Sequence, residues 1–239
     1  MEIFPAIDLK DGKAVRLFQG NYNKMTVYGG DPVEIAQSFK DDGALNLHLV
    51  DLDGAKDGMP ANFGIIKKIV ESAQLFVEVG GGVRDEERIS RYIELGVGRV
   101  IVGTLAVKNF EFLCEMVRKY GDKIAVSVDV MDGYAAINGW HDPTGVKGMD
   151  FCIRLAGAGV ETVIYTDISK DGALKGTNLE AYSMLSEIEG LKVIASGGIS
   201  FESEILQLRE KGIHGAILGK ALYSGILDLR RVIQLAEGK

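Results

Sequence analysis

The sequence predicts an α/β fold, a (βα)8 TIM barrel built from two similar half-barrels, and three observations carry that prediction. Short β-rich apolar runs alternate with amphipathic segments eight times along the 239 residues, the pattern of parallel strands joined by crossover helices. Features of the first half recur in the second: Asp51, Gly82 and Gly103 have counterparts in Asp167, Gly198 and Gly219, each 116 residues later. Two such halves of four βα units each close one ring. Barrels of this kind reach this length around one core, so residues 1–239 are expected to form a single domain.

Taken in order, the first strand is expected near residues 2–8 and its helix near 32–42, with Gly43 where the helix should end. The second pair falls near 46–51 and 62–72. The third strand, near 75–79, contains Phe76-Val77-Glu78-Val79, a run suited to a strand covered on both faces. Its helix, near 85–95, stops at Gly96, because glycine takes the left-handed conformation that closes helices. The fourth pair lies near 99–102 and 109–119, the fifth near 123–129 and 148–157, and the sixth near 161–166 and 179–187. Val193-Ile194-Ala195 marks the seventh strand, near 191–195, followed by a helix near 201–211 that ends at Gly212. The eighth pair lies near 213–218 and 228–236. An open doubly wound sheet is the structural alternative, and the half-chain repeat argues against it.

A net charge of -7 argues against a surface built for nucleic acid or anionic lipid, which needs clustered Lys and Arg. No apolar run approaches the ~18 residues of a membrane helix, and the start lacks a basic segment followed by an apolar one. A cytoplasmic protein with no nucleic-acid or membrane partner is therefore expected; a monomer is also expected, although neither charge nor hydropathy bears on that. Cys114 and Cys152 lack metal-ligand spacing and read as buried reduced thiols. His48, His141 and His214 are scattered, so no metal site is expected.

Active sites of such barrels lie at the C-terminal ends of the strands. Asp8 and Asp129 end the first and fifth strands, 121 residues apart, and are expected to face each other across the mouth. A lone aspartate there is more often a turn former. Two in one repeat position point instead to an acid and a base acting on one sugar. Gly80-Gly81-Gly82 with Gly103-Thr104, and Ser196-Gly197-Gly198 with Gly219-Lys220, read as two phosphate cradles. Glycine allows close approach of the backbone, and N–H groups at the following helix start face the anion. Two cradles imply a bisphosphorylated small-molecule substrate.

Arg16 and Arg84 follow the first and third strands, and either suits a solvated loop cation. Arg84 is favoured as a ligand contact, because it directly follows a Gly-rich turn and a guanidinium grips phosphate or carboxamide as a fork. Trp140, the only tryptophan, lies in a loop after the fifth strand and is placed to stack on a flat ring. Thr166 and Asp171, after the sixth strand, can reach the mouth, although Asp171 can equally cap its turn. His48 suits a satisfied, partly buried histidine as well as it suits a ligand contact.

The run Pro5-Ala6-Ile7-Asp8-Leu9-Lys10-Asp11-Gly12-Lys13-Ala14-Val15-Arg16-Leu17, with His48-Leu49-Val50-Asp51-Leu52-Asp53-Gly54-Ala55 and Gly80-Gly81-Gly82-Val83-Arg84, resembles the histidine-biosynthesis ProFAR isomerase family. The likeness spans nearly the whole chain, through Ser127-Val128-Asp129, Gly139-Trp140, Tyr165-Thr166-Asp167-Ile168, Lys170-Asp171-Gly172, Ala195-Ser196-Gly197-Gly198-Ile199 and Gly219-Lys220-Ala221-Leu222-Tyr223. The resemblance implies an aldose–ketose isomerase that performs an Amadori rearrangement on N-(5-phosphoribosyl)formimino-aminoimidazole-carboxamide ribonucleotide without metal or organic cofactor. It also implies Asp8 as base and Asp129 as acid, with Asp171 the acid favoured in some members.

Three rival readings accompany it. The cyclase of the next histidine step shares the repeated halves and strand-end aspartates, but its first strand usually reads Cys-Leu-Asp-Val, where this chain has Ala6-Ile7-Asp8-Leu9. A dual-substrate isomerase that also takes phosphoribosylanthranilate is left open by the sequence. A non-catalytic phosphoribosyl-binding regulatory barrel would be expected to lack one of the aspartates, and both are present.

Overall fold

The eight apolar runs all become parallel strands in the computed structural model, which describes residues 1–57 and 61–239. In chain order the strands are β1 (Glu2–Lys10), β2 (Lys13–Phe18), β3 (Asn21–Val27), β4 (Asn46–Asp51), β5 (Phe76–Gly80), β6 (Arg99–Val102), β7 (Ile124–Met131), β8 (Tyr134–Ile137), β9 (Asp142–Lys147), β10 (Thr162–Asp167), β11 (Lys192–Ser196) and β12 (Gly215–Leu218). The ring runs β1, β4, β5, β6, β7, β10, β11, β12 and closes on β1, with every neighbouring pair parallel. The fold is thus a closed (βα)8 barrel.

The crossover helices are α1 (Pro32–Asp41), α3 (Phe63–Ala73), α4 (Glu86–Glu94), α6 (Phe110–Tyr120), α7 (Gly148–Gly157), α8 (Leu179–Leu185), α9 (Glu202–Glu210) and α11 (Leu229–Glu237). Three short helices follow ring strands directly: α2 (Leu52–Asp57), α5 (Thr104–Lys108) and α10 (Lys220–Tyr223). Asp31, Asp85, Asn109, Asn178 and Asp228 start their helices by accepting a backbone N–H that has no partner within the helix. Among the described residues, no helix is long and apolar enough to cross a membrane.

Side chains alternate between the two faces of each strand. Ile3, Ile7, Leu47, Leu49, Val77, Val79, Val100 and Val126 belong to the large core between ring and helices. Phe4, Ala6, Ile101, Ala125, Ile164, Ile194 and Ile217 form a separate cluster within the ring. Asp8 is in phase with Phe4 and Ala6, and Asp129 with Ala125. The alternation that buries these apolar side chains therefore turns both carboxyl groups inward, one layer higher, on strands four apart around a ring of eight.

Two hairpins depart from the eight-unit pattern. β2 and β3 follow β1, and β8 and β9 follow β7, both antiparallel. Each begins with an Asp-Gly turn in the left-handed region, at Asp11-Gly12 (φ 48° and 75°) and Asp132-Gly133 (φ 52° and 83°). Asp-Gly flanked by strand residues is a strong short-range hairpin signal. Cys152 is buried, which pushes its thiol up to about 12, but Cys114 on α6 is half-buried rather than buried.

The repeat is physical as well as textual. Asn62 donates to Asp51 at 2.7 Å and Asn178 donates to Asp167 at 2.8 Å, so each half secures the loop after its second strand in the same way. The next Gly-rich turn packs against that loop. A Cβ on Gly82 (φ 69°) would overlap the Gly54 carbonyl, and one on Gly198 (φ 80°) would lie 2.6 Å from the Gly176 carbonyl. We expect Gly82→Ala to cost roughly 1–3 kcal/mol, as a left-handed strain with an added clash, and to lower Tm by several degrees. Gly157→Ala, at an exposed helix position with open space, should leave Tm unchanged or raise it. Thermal unfolding followed by circular dichroism tests the pair.

Candidate active site

The inward face of the ring opens at the C-terminal ends of the strands into a cavity of about 590 Å³. Twelve of the sixteen residues singled out in the sequence line it: Asp8, Arg16, His48, Gly81, Gly82, Arg84, Gly103, Thr104, Asp129, Trp140, Thr166 and Asp171. The other four, Gly197, Gly198, Gly219 and Lys220, line an adjoining recess that shares Arg16 and Asp171 with the main cavity. The two Gly-rich turns thus lie in two different parts of one mouth. At each, the chain passes from a ring strand through glycine into a short helix, at Gly103 into α5 and at Gly219 into α10. The leading N–H groups of a helix have no partner within it.

Arg16 is the centre of the polar network. It stands on β2, and the antiparallel register sets its neighbour Val15 opposite Asp8. Its Nη1 donates to Asp8 at 3.1 Å and its Nη2 to Asp171 at 2.5 Å. Its Nε, buried and with no acceptor among the described residues, lies beside Gly219, where a Cβ would come within 3.0 Å of the guanidinium carbon. Arg16 is therefore a buried bridge between two carboxylates and not a solvated loop cation. Arg84, the arginine favoured in the sequence, is exposed on the rim, with a 3.4 Å contact to the Ala55 carbonyl. Burial pushes the Asp171 carboxyl above its ordinary range, against the pull of the Arg16 charge.

Asp129 has a different environment. The donors to its carboxyl are neutral, the Thr166 hydroxyl and the Trp140 indole, and burial among protein groups outweighs them and raises its pKa. Trp140 adopts φ 73°, a region rarely open to a bulky side chain. Its ring lies against Gly20, where a Cβ would come within 2.7 Å of it. This contact joins the β8–β9 hairpin to the β2–β3 hairpin across the mouth. Gln19 donates to the Ser169 carbonyl at 3.0 Å, and the Asn138 N–H donates to the Thr104 hydroxyl at 2.9 Å. Lys220 reaches back to the Gly172 carbonyl at 2.8 Å.

His48 lines the cavity, and its Nδ1 lies 2.7 Å from the buried Glu78 carboxylate. Ser127 and Asn138 are polar lining residues that the sequence did not single out. Ser127 stands two residues before Asp129 on the same face of β7, and Asn138 precedes Trp140 in the hairpin turn. Strand alternation could have identified Ser127. Nothing local marks Asn138, which reaches the site only because its hairpin folds back.

The chain matches the model of a family described as histidine biosynthesis protein over residues 2–228. Relatives at 46–49% identity carry the name 1-(5-phosphoribosyl)-5-((5-phosphoribosylamino)methylideneamino) imidazole-4-carboxamide isomerase. That of Brachyspira hyodysenteriae is 49% identical over 237 residues, covering 99% of this chain and 100% of its own. That of Roseiflexus castenholzii is 48% identical over 233 residues, 98% of each chain. That of Desulfitobacterium hafniense is 46% identical, covering 100% of this chain and 99% of its own.

The environment of Asp129 predicts a cost in stability at neutral pH. Its folded pKa is raised above the ordinary 3.8. Below that value folded and unfolded chains both hold the proton, and ionisation carries no penalty. As pH rises the unfolded chain releases its proton first, so folded stability falls until the folded carboxyl also ionises. Asp129→Asn should therefore match the unchanged protein in acid and melt higher at neutral pH. Melting curves taken from about pH 3 to pH 7.5 test this; a variant that is less stable at neutral pH contradicts it.

Proposed function

The chain belongs to the histidine biosynthesis protein family, and on that premise we propose that it is an aldose–ketose isomerase of histidine biosynthesis. It converts the aminoaldose N-(5-phosphoribosyl)formimino-5-aminoimidazole-4-carboxamide ribonucleotide into its phosphoribulosyl aminoketose by an Amadori rearrangement. The observation that carries the reading is the meeting of Asp8 and Asp129 in one cavity with a Gly-rich turn in each of its two parts. Those two turns suit a substrate with a phosphate at each end, each held by backbone N–H groups. The free Nε of Arg16 beside Gly219 supplies a further donor there.

Protonation of the furanose oxygen opens the ring to an iminium. Removal of the proton from the adjacent carbon then gives an enolamine, which tautomerises to the ketone. The iminium is itself the electron sink, so the chemistry calls for neither metal nor organic cofactor. Asp8 acts as the base, at the end of the first strand, with its carboxylate held in the cavity by the Arg16 guanidinium at 3.1 Å. Asp129 acts as the acid, because neutral donors and burial suit it to carry a proton. Asp171 also has a raised pKa, but Arg16 opposes the protonated form there. All the groups named come from one chain, in keeping with a monomer, and the substrate class suits the cytoplasm.

An absorbance assay on the aminoaldose, coupled to the synthase that consumes the product, tests the reading. Asp8→Asn and Asp129→Asn should each lower turnover by roughly 10²–10⁴-fold, the usual worth of one acid or base, with far smaller changes in substrate affinity. Asp171→Asn should retain more activity than Asp129→Asn. The reverse order would make Asp171 the acid, and an active Asp8→Asn would end the mechanism. Little or no turnover of phosphoribosylanthranilate is expected. Rescue of a strain lacking that isomerase would show a dual-substrate enzyme instead.

A further inference from the structure

Beneath the cavity lies a charged cluster that the reaction above does not use. Glu78 is fully buried, and Arg99 donates to its Oε2 from Nε at 3.0 Å and from Nη2 at 2.5 Å. Arg99 also donates to the Thr162 hydroxyl at 3.2 Å, and its guanidinium lies 5.7 Å from the centre of the Phe4 ring and 5.3 Å from that of Phe76. The other carboxylate oxygen, Oε1, is 2.7 Å from His48 Nδ1. Arg99 and Thr162 begin their strands at the foot of the barrel, and of the four residues His48 alone lines the cavity.

The second half of the chain shows that the ring can be built without this cluster. At the repeat offset of 116, His48 corresponds to Ile164, Glu78 to Ile194 and Arg99 to Gly215. The registers correspond as well: His48 pairs with Glu78 and Glu78 with Arg99, while Ile164 pairs with Ile194 and Ile194 with Gly215. Ile164 and Ile194 belong to the apolar cluster within the ring. Replacing a buried ion pair by apolar side chains is often neutral or stabilising, and this ring accommodates the apolar version. Stability alone therefore does not account for the charged version in the first half.

We propose that Glu78, clamped by Arg99, is a positioning residue that fixes the proton of His48 on Nδ1 and aims Nε2 into the cavity to accept a hydrogen bond from a sugar hydroxyl of the substrate. An ionised carboxylate can only accept, so its histidine neighbour must donate. Burial alone would push the Glu78 carboxyl up, but His48 and Arg99 outweigh it and hold the group below the usual carboxylate range. In the neutral ring the proton on Nδ1 leaves a lone pair on Nε2. An acceptor on the β4 wall, with Ile164 at the matching place on β10, gives the site a polar and an apolar side. A sugar entering between them is thereby oriented before Asp8 and Asp129 act. The substrate in this proposal rests on the isomerase reading; the tautomer does not.

The test uses the full chain labelled with ¹⁵N-histidine, which gives three ring systems to assign, at a pH where His48 is neutral. The expected spectrum shows a protonated, pyrrole-type Nδ1 and a pyridine-type Nε2 for His48. In Glu78→Gln that pattern should give way to mixed tautomers while kcat/KM falls by roughly 10–100-fold, the usual effect of losing such an orienting partner. A second pair of variants works independently of how well Glu78→Gln folds. The amide oxygen of His48→Gln reaches the place of Nε2 and that of His48→Asn the place of Nδ1, so the glutamine variant should retain more activity. A protonated Nε2 in the unchanged protein, unaltered kcat/KM in folded Glu78→Gln, or a more active asparagine than glutamine variant would each overturn the proposal. Inactivity of the unchanged protein on the aminoaldose would instead overturn the isomerase reading, with the tautomer still measurable.

Discussion

A charge taken out of water costs several kcal/mol unless another group compensates it, and in a closed ring the inward side chains have few places to find that compensation. The Asp8–Arg16–Asp171 bridge is this protein's main answer. It requires Arg16 to come back over the mouth on β2, which gives the first hairpin a reason to exist. It also requires a glycine at position 219, because a side chain there would meet the guanidinium. The sixth-strand loop must bring Asp171 within reach of a residue 155 positions earlier. One buried cation thus ties together the first strand, the sixth loop and the eighth strand.

The remaining inward polar groups obey the same constraint by different means. Asp129 is met by neutral donors, and its carboxyl sits above its ordinary pKa as a result. Glu78 is met by an arginine and a histidine and sits below. Three carboxyl environments within one ring therefore arise from the choice of partner: a shared cation, two neutral donors, and a clamp at the foot of the barrel. The apolar counterparts of His48 and Glu78 in the second half mark where the two halves, similar in backbone, differ in their inward side chains.

Most of this fold was legible in the sequence, because strand and helix periodicity and the helix-ending glycines are local properties of the chain. The eight strands and eight crossover helices lie within a few residues of where periodicity places them. The two mouth hairpins were signalled by Asp11-Gly12 and Asp132-Gly133, but there the dipeptides serve as marks of the repeat, and their turn chemistry is easy to overlook. The site was legible as a list of residues and much less as a set of contacts. Asp8, Asp129 and the glycines stand out because strand ends and repeat positions single them out. The adjacency of Arg84 to a Gly-rich turn is visible in one dimension, whereas the partners of Arg16 are contributed by distant strands, so its network was hidden. The Glu78–His48 contact is hidden for the same reason, since Glu78 reads simply as part of a buried strand.

In the proposed reaction a carboxylate within this cavity takes up a carbon-bound proton of the substrate. The isotopic composition of the product formed in deuterium oxide, read by NMR, reports on that transfer. Deuterium is expected at the product carbon bonded to nitrogen, because a carboxylate open to this cavity exchanges the proton it has taken up before one is returned. A product free of deuterium there, with the hydrogen delivered wholly from the neighbouring carbon, would show direct transfer between the two carbons and contradict uptake by a carboxylate that exchanges with solvent.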